Sequence, residues 1–504
     1  MFDLGSRPPI LKSRLQELAL NATICLAQFL SQGSVAMSLS TMNAILKSFS
    51  ELRGEEVPQS QSVWFMGAFA LTLGTFILIS GRLGDLFGLK KIFVLGWFWA
   101  TFWCLITGIS YYSHSSDFFI VCRAFQGIGF ALIIPCGMGI LGSVYPNGKR
   151  KNLAFGCVGA AAPVGATIGC LMAGVVAQTW WWPWAFWLLS ITCFILGCLA
   201  LYAIPTGFEH KQSTFKEAYD KFDLVGALLG VAGLILFSFV WNQGPLDGWS
   251  SAYIIVLLVV SVSIIVSFFL YELNKAKFPL LPRGIFTFRV GLILSCMSLG
   301  WGSFGVWQYY YWSLMLNLRG YTPIKTALTY IPLLIIGMLA ALIVGFFINK
   351  KRAPYIIAFA MVGFLCGDIF LSILPVDQSF WRLSFGQMFL LTWGMDFSFP
   401  AASLILSDFL PTQHQGMAGS LVNTVVNYSV SLFLAIASTV ETEVYKETND
   451  TLQSYRAAAY FGVGIAGLAV VISVIFIFTE HGRDDLPEYQ SDVEKVSTSN
   501  ESSL

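Results

Sequence analysis

Gly81–Lys91 reads GRLGDLFGLKK and separates two apolar stretches, Ser62–Ser80 and Ile92–Tyr112. Each stretch is long enough to cross a bilayer as one helix. The segment between them carries Arg82, Lys90 and Lys91. A cationic cluster at helix ends marks the cytoplasmic side of a membrane protein. Gly81, Gly84 and Gly88 permit a tight turn with close backbone approach. Asp85 can accept hydrogen bonds from free N–H groups at a helix start. The reading is a helical membrane protein with this loop in the cytosol.

Composition extends that reading to the whole chain. Its 504 residues are 56% hydrophobic and 11% charged, with mean hydropathy +0.70. Soluble domains carry about 25% charged residues. A chain this long with so few charges cannot cover a soluble surface. Net charge is +1, which gives no electrostatic case for nucleic acid. The first residues are polar and basic without a signal-peptide core, so the first span is expected to act as its own insertion signal. The ten cysteines all fall in apolar stretches and none forms a CxxC pair. Neither a zinc site nor a disulfide framework is indicated; buried thiols acting as small hydrophobes fit better. With no phosphate-binding loop and no metal-ligand cluster, no catalytic residue, cofactor or metal is expected, and an enzyme is not.

Apolar windows of about twenty residues fall at about 17–39, 61–81, 92–112, 117–141, 153–178, 183–204, 223–242, 252–271, 288–316, 324–348, 354–374, 381–406, 416–440 and 458–479. With both termini cytosolic, Lys and Arg are about threefold more abundant in the inner segments than in the outer ones, as the positive-inside rule requires. The fold class is therefore all-α and polytopic, with 14 transmembrane helices arranged 6+2+6. The expected parts are a cytoplasmic N-terminus (1–16), a six-helix bundle (17–205), a linker with two additional spans (206–287), a second six-helix bundle (288–480) and a disordered cytoplasmic tail (481–504). The basic loop Gly345–Arg352 occupies in the second half the place of Gly81–Lys91 in the first.

Gly81, Asp85, Gly88, Lys90 and Lys91 match the loop between the second and third spans of major facilitator superfamily transporters, which the segment resembles. Leu86 and Leu89 stand where that family often has basic residues. CRAFQGIGFALIIP, Cys122–Pro135, is similar to the family's Arg-x-x-Gln-Gly element through Arg123, Gln126 and Gly127. The resemblance implies a proton-coupling role for Arg123; the alternative is an arginine snorkelling to the outer headgroups. GCVGAAAPVGATIGCLMAG, Gly156–Gly174, resembles the Gly-Pro element of facilitator antiporters, with Ala162 in place of its Gly. Gly159, Pro163, Gly165 and Gly169 belong to this helix. Gly165 and Gly169 permit close helix packing, which small residues provide in many membrane helices. TWWWPWAFW, Thr179–Trp187, together with Gly74–Gly88 and KFDLVGALLG, Lys221–Gly230, is similar to the fungal aminotriazole- and boron-resistance branch of the fourteen-span drug:proton antiporters. That branch includes low-affinity ammonium facilitators. The five tryptophans are expected to anchor the outer interface.

Three acids interrupt or flank the apolar spans. Asp396 lies near the middle of its span, four residues before Pro400; Asp368 lies in the preceding span; Asp223 opens the seventh and is expected to cap it. A carboxyl group in low dielectric holds its proton more readily, so Asp396 first, and Asp368 second, are candidates for proton coupling. Either can instead be a structural acid paired with another helix. Gln28 and Gln32 share a helix face, as do Asn423 and Asn427. With Gln126 and Trp307 they are candidates to line a substrate cavity, since amides offer both donors and acceptors; they serve equally to join helices. Tyr309–Trp312 and Trp307 either line a cavity or pack. Asn449-Asp450-Thr451 is a glycosylation sequon in an expected outer loop.

The expectation is a monomeric secondary transporter in the plasma membrane, with the vacuolar membrane as the alternative. Its partners are the lipid bilayer, protons and a small polar or drug-like solute of the boric acid or aminotriazole type. The rivals are a facilitator of ammonium or another small solute, and a non-transporting sensor on the same scaffold.

Overall fold

The computed structural model describes residues 7–146, 148–207, 219, 221–281, 287–348, 352–408 and 415–484. The tail expected to be disordered lies mostly outside these residues, as do much of the linker 206–222 and part of the loop Gly345–Arg352. Fourteen helices among the described residues are long and apolar enough to cross a membrane. Spans 1–6 are Arg14–Arg53, Gln59–Phe87, Leu89–Ser113, Ser116–Val144, Lys149–Thr179 and Pro183–Ala203. Spans 7 and 8 are Leu224–Asp247 and Ala252–Asn274. Spans 9–14 are Phe288–Leu318, Pro323–Ala341, Ala353–Ser372, Leu383–Ser407, Gly419–Thr448 and Thr451–Glu480.

The two sets of six repeat one packing scheme. Span 1 packs on spans 5 and 6, span 2 on span 4, and span 3 on spans 4 and 6. Span 9 packs on spans 13 and 14, span 10 on span 12, and span 11 on spans 12 and 14. The halves meet chiefly through span 2 on span 13 and span 5 on span 10, with smaller contacts of span 1 on spans 9 and 10. The two main contacts exchange when the halves are exchanged, the signature of an internal repeat. Spans 7 and 8 pair with each other, and span 7 leans on spans 2 and 13. Asp223 caps span 7 as expected, accepting from the Gly226 N–H at 2.9 Å.

Several spans outrun their apolar windows. Span 1 runs 40 residues, about 60 Å at the helical rise, and stops where Gly54 takes a left-handed conformation (φ 72°). Polar residues such as Asn43 and Ser50 continue this helix, because a helix satisfies its own backbone wherever it ends relative to the lipid. Span 10 instead divides into Pro323–Leu328 and Ile331–Phe347. The segment Gly81–Lys91 corrects the expectation of an open loop. Span 2 continues helically through Phe87 and span 3 begins at Leu89, so Asp85 sits in the last turn of span 2. Only Gly88, at φ 106°, breaks the helix; its N–H bonds the Gly84 carbonyl at 2.9 Å.

The cysteines are free, but not uniformly buried. Cys157 and Cys198 are exposed on the bundle surface and Cys25 and Cys366 are half-buried. The tryptophans of Thr179–Trp187 divide in the same way. Trp180 is exposed, whereas Trp182 is buried and donates to Ser48 Oγ at 3.1 Å. Trp182 also meets Phe49, Phe119 and Phe186 edge-on or tilted, so it plugs spans 1, 4 and 6. The sequon falls in the tight turn between spans 13 and 14, with Asn449 at φ 53°.

Candidate transport site

The end of the molecule carrying Lys90 and Lys91 is here the basic end, and the opposite one the far end. Lys90 Nζ donates to the carbonyls of Leu201 and Ile204, at 3.0 and 2.6 Å, which closes the C-terminus of span 6. A β-carbon added at Gly81 would lie 3.6 Å from Ser420 Oγ of span 13 and 3.7 Å from Pro135 of span 4. Gly81, at the start of the motif, thus stands where the two halves meet, while Lys90 ties the motif to span 6.

Burial changes along the two central helices. Residues 33–42 of span 1 and 302–316 of span 9, toward the far end, are buried without interruption. Toward the basic end the same helices expose Leu15, Leu18, Gly291 and Ser295. The halves bond across the far end: Asn43 Nδ2 donates to Asn317 Oδ1 at 2.8 Å, and the hydroxyls of Ser62 and Tyr309 lie 2.6 Å apart. Span 5 touches span 10 at Gly174–Pro323 and again at Pro163–Gly337, while added β-carbons at Gly156 and Gly159 would meet nothing within 4 Å. The halves are therefore held together at the far end, while toward the basic end spans 1, 5 and 9 are less closely covered.

Asp396 sits at the midpoint of that seam. An added β-carbon on Gly337 of span 10 would be 3.0 Å from Asp396 Oδ2 and 3.2 Å from Pro163 Cβ. Spans 5, 10 and 12 converge on this glycine, and both halves of the molecule are represented. Oδ2 is buried and has no hydrogen-bond partner among the described residues, although the residue as a whole is half-exposed. Two residues on, Ser398 Oγ accepts the Trp301 indole N–H at 3.0 Å, which ties span 12 to span 9. Gly337 and Trp301 were not distinguishable in the sequence from the many other glycines and tryptophans.

Pro163, Gly165 and Gly169 work on different faces. Pro163 faces span 10. A β-carbon on Gly165 would fall 2.1 Å from the Phe29 carbonyl oxygen, and one on Gly169 2.4 Å from Gly33 Cα. Spans 1 and 5 therefore cross backbone to backbone, as a small-residue pair permits. Gln28 and Gln32, beside this crossing, are half-exposed and have no hydrogen-bond partner among the described residues. Their amides remain available to a polar solute. Asn423 and Asn427 bond back onto their own helix, to the carbonyls of Gly419 and Asn423, at the seam with Gly74 of span 2. Trp307 is fully buried, stacked on Tyr311 (5.2 Å, 15°), and donates to Gln387 Oε1 at 2.8 Å. In this conformation it belongs to the closed far half.

Arg123 is fully buried between spans 1, 2, 4 and 6 and does not snorkel. All five of its N–H donors are used. Nε donates to Phe65 O (3.1 Å), Nη1 to Ser34 Oγ (3.0 Å) and to Gln126 Oε1, and Nη2 to Ser34 O (2.8 Å) and Ser38 Oγ (2.7 Å). Phe69 lies 4.7 Å and Phe186 5.6 Å from the guanidinium carbon. Gln126 is consumed by this network and donates onward to Cys104 Sγ at 2.8 Å. Among the described residues no carboxylate lies within ion-pair distance. Lysine has three donors and no fork, so Arg123→Lys should lower transport at least about tenfold, the factor for about 1.4 kcal/mol of misplaced hydrogen bonding. The initial rate of solute accumulation in inverted vesicles at matched protein content measures it.

Asp368 is elsewhere. It is fully buried, and an added β-carbon on Gly462 of span 14 would lie 2.8 Å from its Oδ1 and 3.4 Å from Val306 of span 9. It faces the junction of spans 9, 11 and 14, away from the seam between the halves. Neither of its oxygens has a hydrogen-bond partner among the described residues.

The sequence profile of the Major Facilitator Superfamily matches residues 24–435. The chain is 45% identical over 474 residues to the aminotriazole resistance protein of Saccharomyces cerevisiae, covering 93% of this chain and 85% of that one. It is 41% identical over 479 residues to the low affinity ammonium transporter of the same yeast, covering 95% and 91%. Among solved structures, a POT family transporter in complex with a thioalcohol-conjugated peptide superposes with TM-score 0.63 at 15% identity, covering 91% of this chain and 96% of that one, a likeness of fold alone. The chain belongs to the Major Facilitator Superfamily and is an integral membrane transporter of that family with fourteen spans.

Proposed function

We propose that the protein is a proton-coupled secondary transporter that exports a small polar or drug-like solute, working as a monomer in the plasma membrane with its basic end in the cytosol. The observation that carries this reading is Asp396: a carboxylate in the middle of the membrane, at the contact of both halves, with one oxygen buried and unpartnered. An intramembrane acid is expensive to keep and marks an ion or proton pathway. Its neighbours Gly337 and Pro163 change their contact whenever spans 5 and 10 part, so its proton and the access state are linked. Gln28 and Gln32 supply donors and acceptors for a neutral polar solute, and Arg123 fixes a positive charge in the closed half. The aminotriazole resistance relative supports a small heteroaromatic or similarly polar neutral compound.

The test is flux in sealed vesicles holding the purified protein, screened over aminotriazole, boric acid and ammonium with and without an imposed pH gradient. Uphill movement of one solute driven by the gradient is expected. A second reading, a facilitator of ammonium or another small solute, is favoured by the comparable identity to the ammonium transporter. It predicts flux that follows the solute gradient alone.

Gly81, Asp85, Gly88, Lys90 and Lys91 are proposed to govern the change of access, since they lie at the basic end, begin at the seam with Gly81, and are remote from Asp396, Gln28 and Gln32. Asp85→Asn should slow turnover several-fold with little change in solute binding, read as a fall in maximal rate at constant half-saturation.

A further inference from the structure

Glu441, at the far end of span 13, has no place in the site above. The Tyr310 hydroxyl donates to its Oε2 at 2.7 Å. Tyr310 packs edge-on against Tyr309 (5.1 Å) and Tyr455 (5.6 Å). Each of those tyrosines leads to one of the bonds that close the far end. Tyr309 meets Ser62 of span 2. The Tyr455 hydroxyl accepts from Asn317 Nδ2 at 2.9 Å, and Asn317 Oδ1 accepts from Asn43 of span 1. Tyr309 and Tyr310 are only 1% exposed and Tyr455 4%. One carboxylate therefore braces two of the bonds that hold the halves together there, beside the bond from the Ser431 hydroxyl to the Gly67 carbonyl at 3.0 Å.

We infer that Glu441 is a positioning residue of a proton-sensitive latch on the far end of the transport path. Ionised, it accepts a charge-assisted hydrogen bond from Tyr310, roughly twice as strong as a neutral one. That holds the Tyr309–Tyr310 pair where Tyr309 reaches Ser62. A proton on Glu441 weakens this bond, loosens the pair and favours opening of the far end. The titratable groups facing Glu441 are Tyr309 and Tyr310 from span 9 and Tyr455 from span 14, with Tyr445 next along its own helix. Span 2 contributes the Ser62 hydroxyl, and span 7 the Trp241 carbonyl one turn away, which accepts from Thr439 at 3.5 Å. Lys446, the nearest cation along span 13, pairs with Glu443 at 2.8 Å. Among the described residues no cation lies within ion-pair distance of Glu441. The inference rests on the proposed orientation, with the far end extracellular, but not on Asp396 or on any solute.

The experiment uses the full-length chain with its native cysteines replaced and one cysteine introduced at Ser313, which is buried beside Tyr309. A membrane-impermeant maleimide is added outside intact cells. A second protein with its single cysteine at exposed Ser379 corrects for the pH dependence of the thiol reaction and reports orientation. If Ser379→Cys is not labelled from outside, the orientation is wrong, independently of the latch. The corrected Ser313→Cys rate should rise about fivefold between about pH 7.5 and about pH 4.5, a range that reaches ordinary glutamate titration. Glu441→Gln keeps the acceptor but cannot titrate, so labelling should be raised and flat with pH. Tyr310→Phe should also be flat, while Tyr309→Phe should be raised at every pH. A pH response unchanged in Glu441→Gln, or absent from the parent, overturns the latch. Surface expression of each variant confirms folding, and Glu441→Asp, which restores a titrating acceptor, should recover part of the response.

Discussion

In Asp396→Asn, uphill export driven by a pH gradient falls to background while exchange of solute at equal pH continues. Asparagine keeps the size of the side chain and an acceptor oxygen, so Gly337 and Pro163 still pack against it. What it loses is titration. In an antiporter that separates two activities that ordinarily fall together. A variant that had misfolded would lose both, and exchange at equal pH is therefore the internal control. Asp368→Asn, at the junction of spans 9, 11 and 14, should retain gradient-driven export. Were the two results reversed, the proton pathway would run through the second half's outer layer and the seam would be a packing contact. The assay is solute accumulation in inverted membrane vesicles, with and without an imposed gradient.

The second large effect is structural. Gly165→Val places its side chain where a β-carbon alone lies 2.1 Å from the Phe29 carbonyl oxygen. Spans 1 and 5 would have to separate along a crossing that includes Gly33 and Gly169. Overpacking in a close-packed interior typically costs about 1–3 kcal/mol, and more where the obstacle is backbone that cannot rotate away. The expected outcome is loss of nearly all folded protein by size-exclusion chromatography in mild detergent. Gly464→Val, on span 14 where an added β-carbon meets nothing within 4 Å, should purify normally. Normal yield of Gly165→Val would mean that the crossing is looser than the structure has it.

The contrast between these glycines shows what the sequence could reveal. A GxxxG pair announces that two helices can approach, and the number of spans follows from apolar length and alternating loop charge. Neither tells which helix arrives: that Gly165 meets Phe29, and that Gly337 brings span 10 to Asp396, depends on packing across hundreds of residues. The turn at Gly88 is shorter than its charges suggest, because charges do not end a helix and the glycine does. Glu441 is illegible for the same physical reason. An apolar window closes at the first charge, so the window of span 13 ends at residue 440 and leaves Glu441 just outside it. Glu272, fully buried at the end of span 8, likewise lies just outside a window ending at 271. Arg123 was legible because it stands inside its window. Of its partners Gln126 shares its motif, but the pair of serines on span 1 and the two backbone carbonyls carry no signal that distinguishes them from other small polar residues.

Proton movement caused by the solute itself tests the central claim most directly. Vesicles containing the protein and a trapped pH-sensitive dye are loaded with aminotriazole at equal pH on both sides, then diluted into solute-free buffer. Proton-coupled antiport predicts that solute leaving through the protein draws protons inward. The lumen then acidifies with a fixed ratio to the solute lost, and vesicles carrying Asp396→Asn do not acidify. Solute that leaves through the protein while the lumen pH stays constant would contradict the account and establish a facilitator.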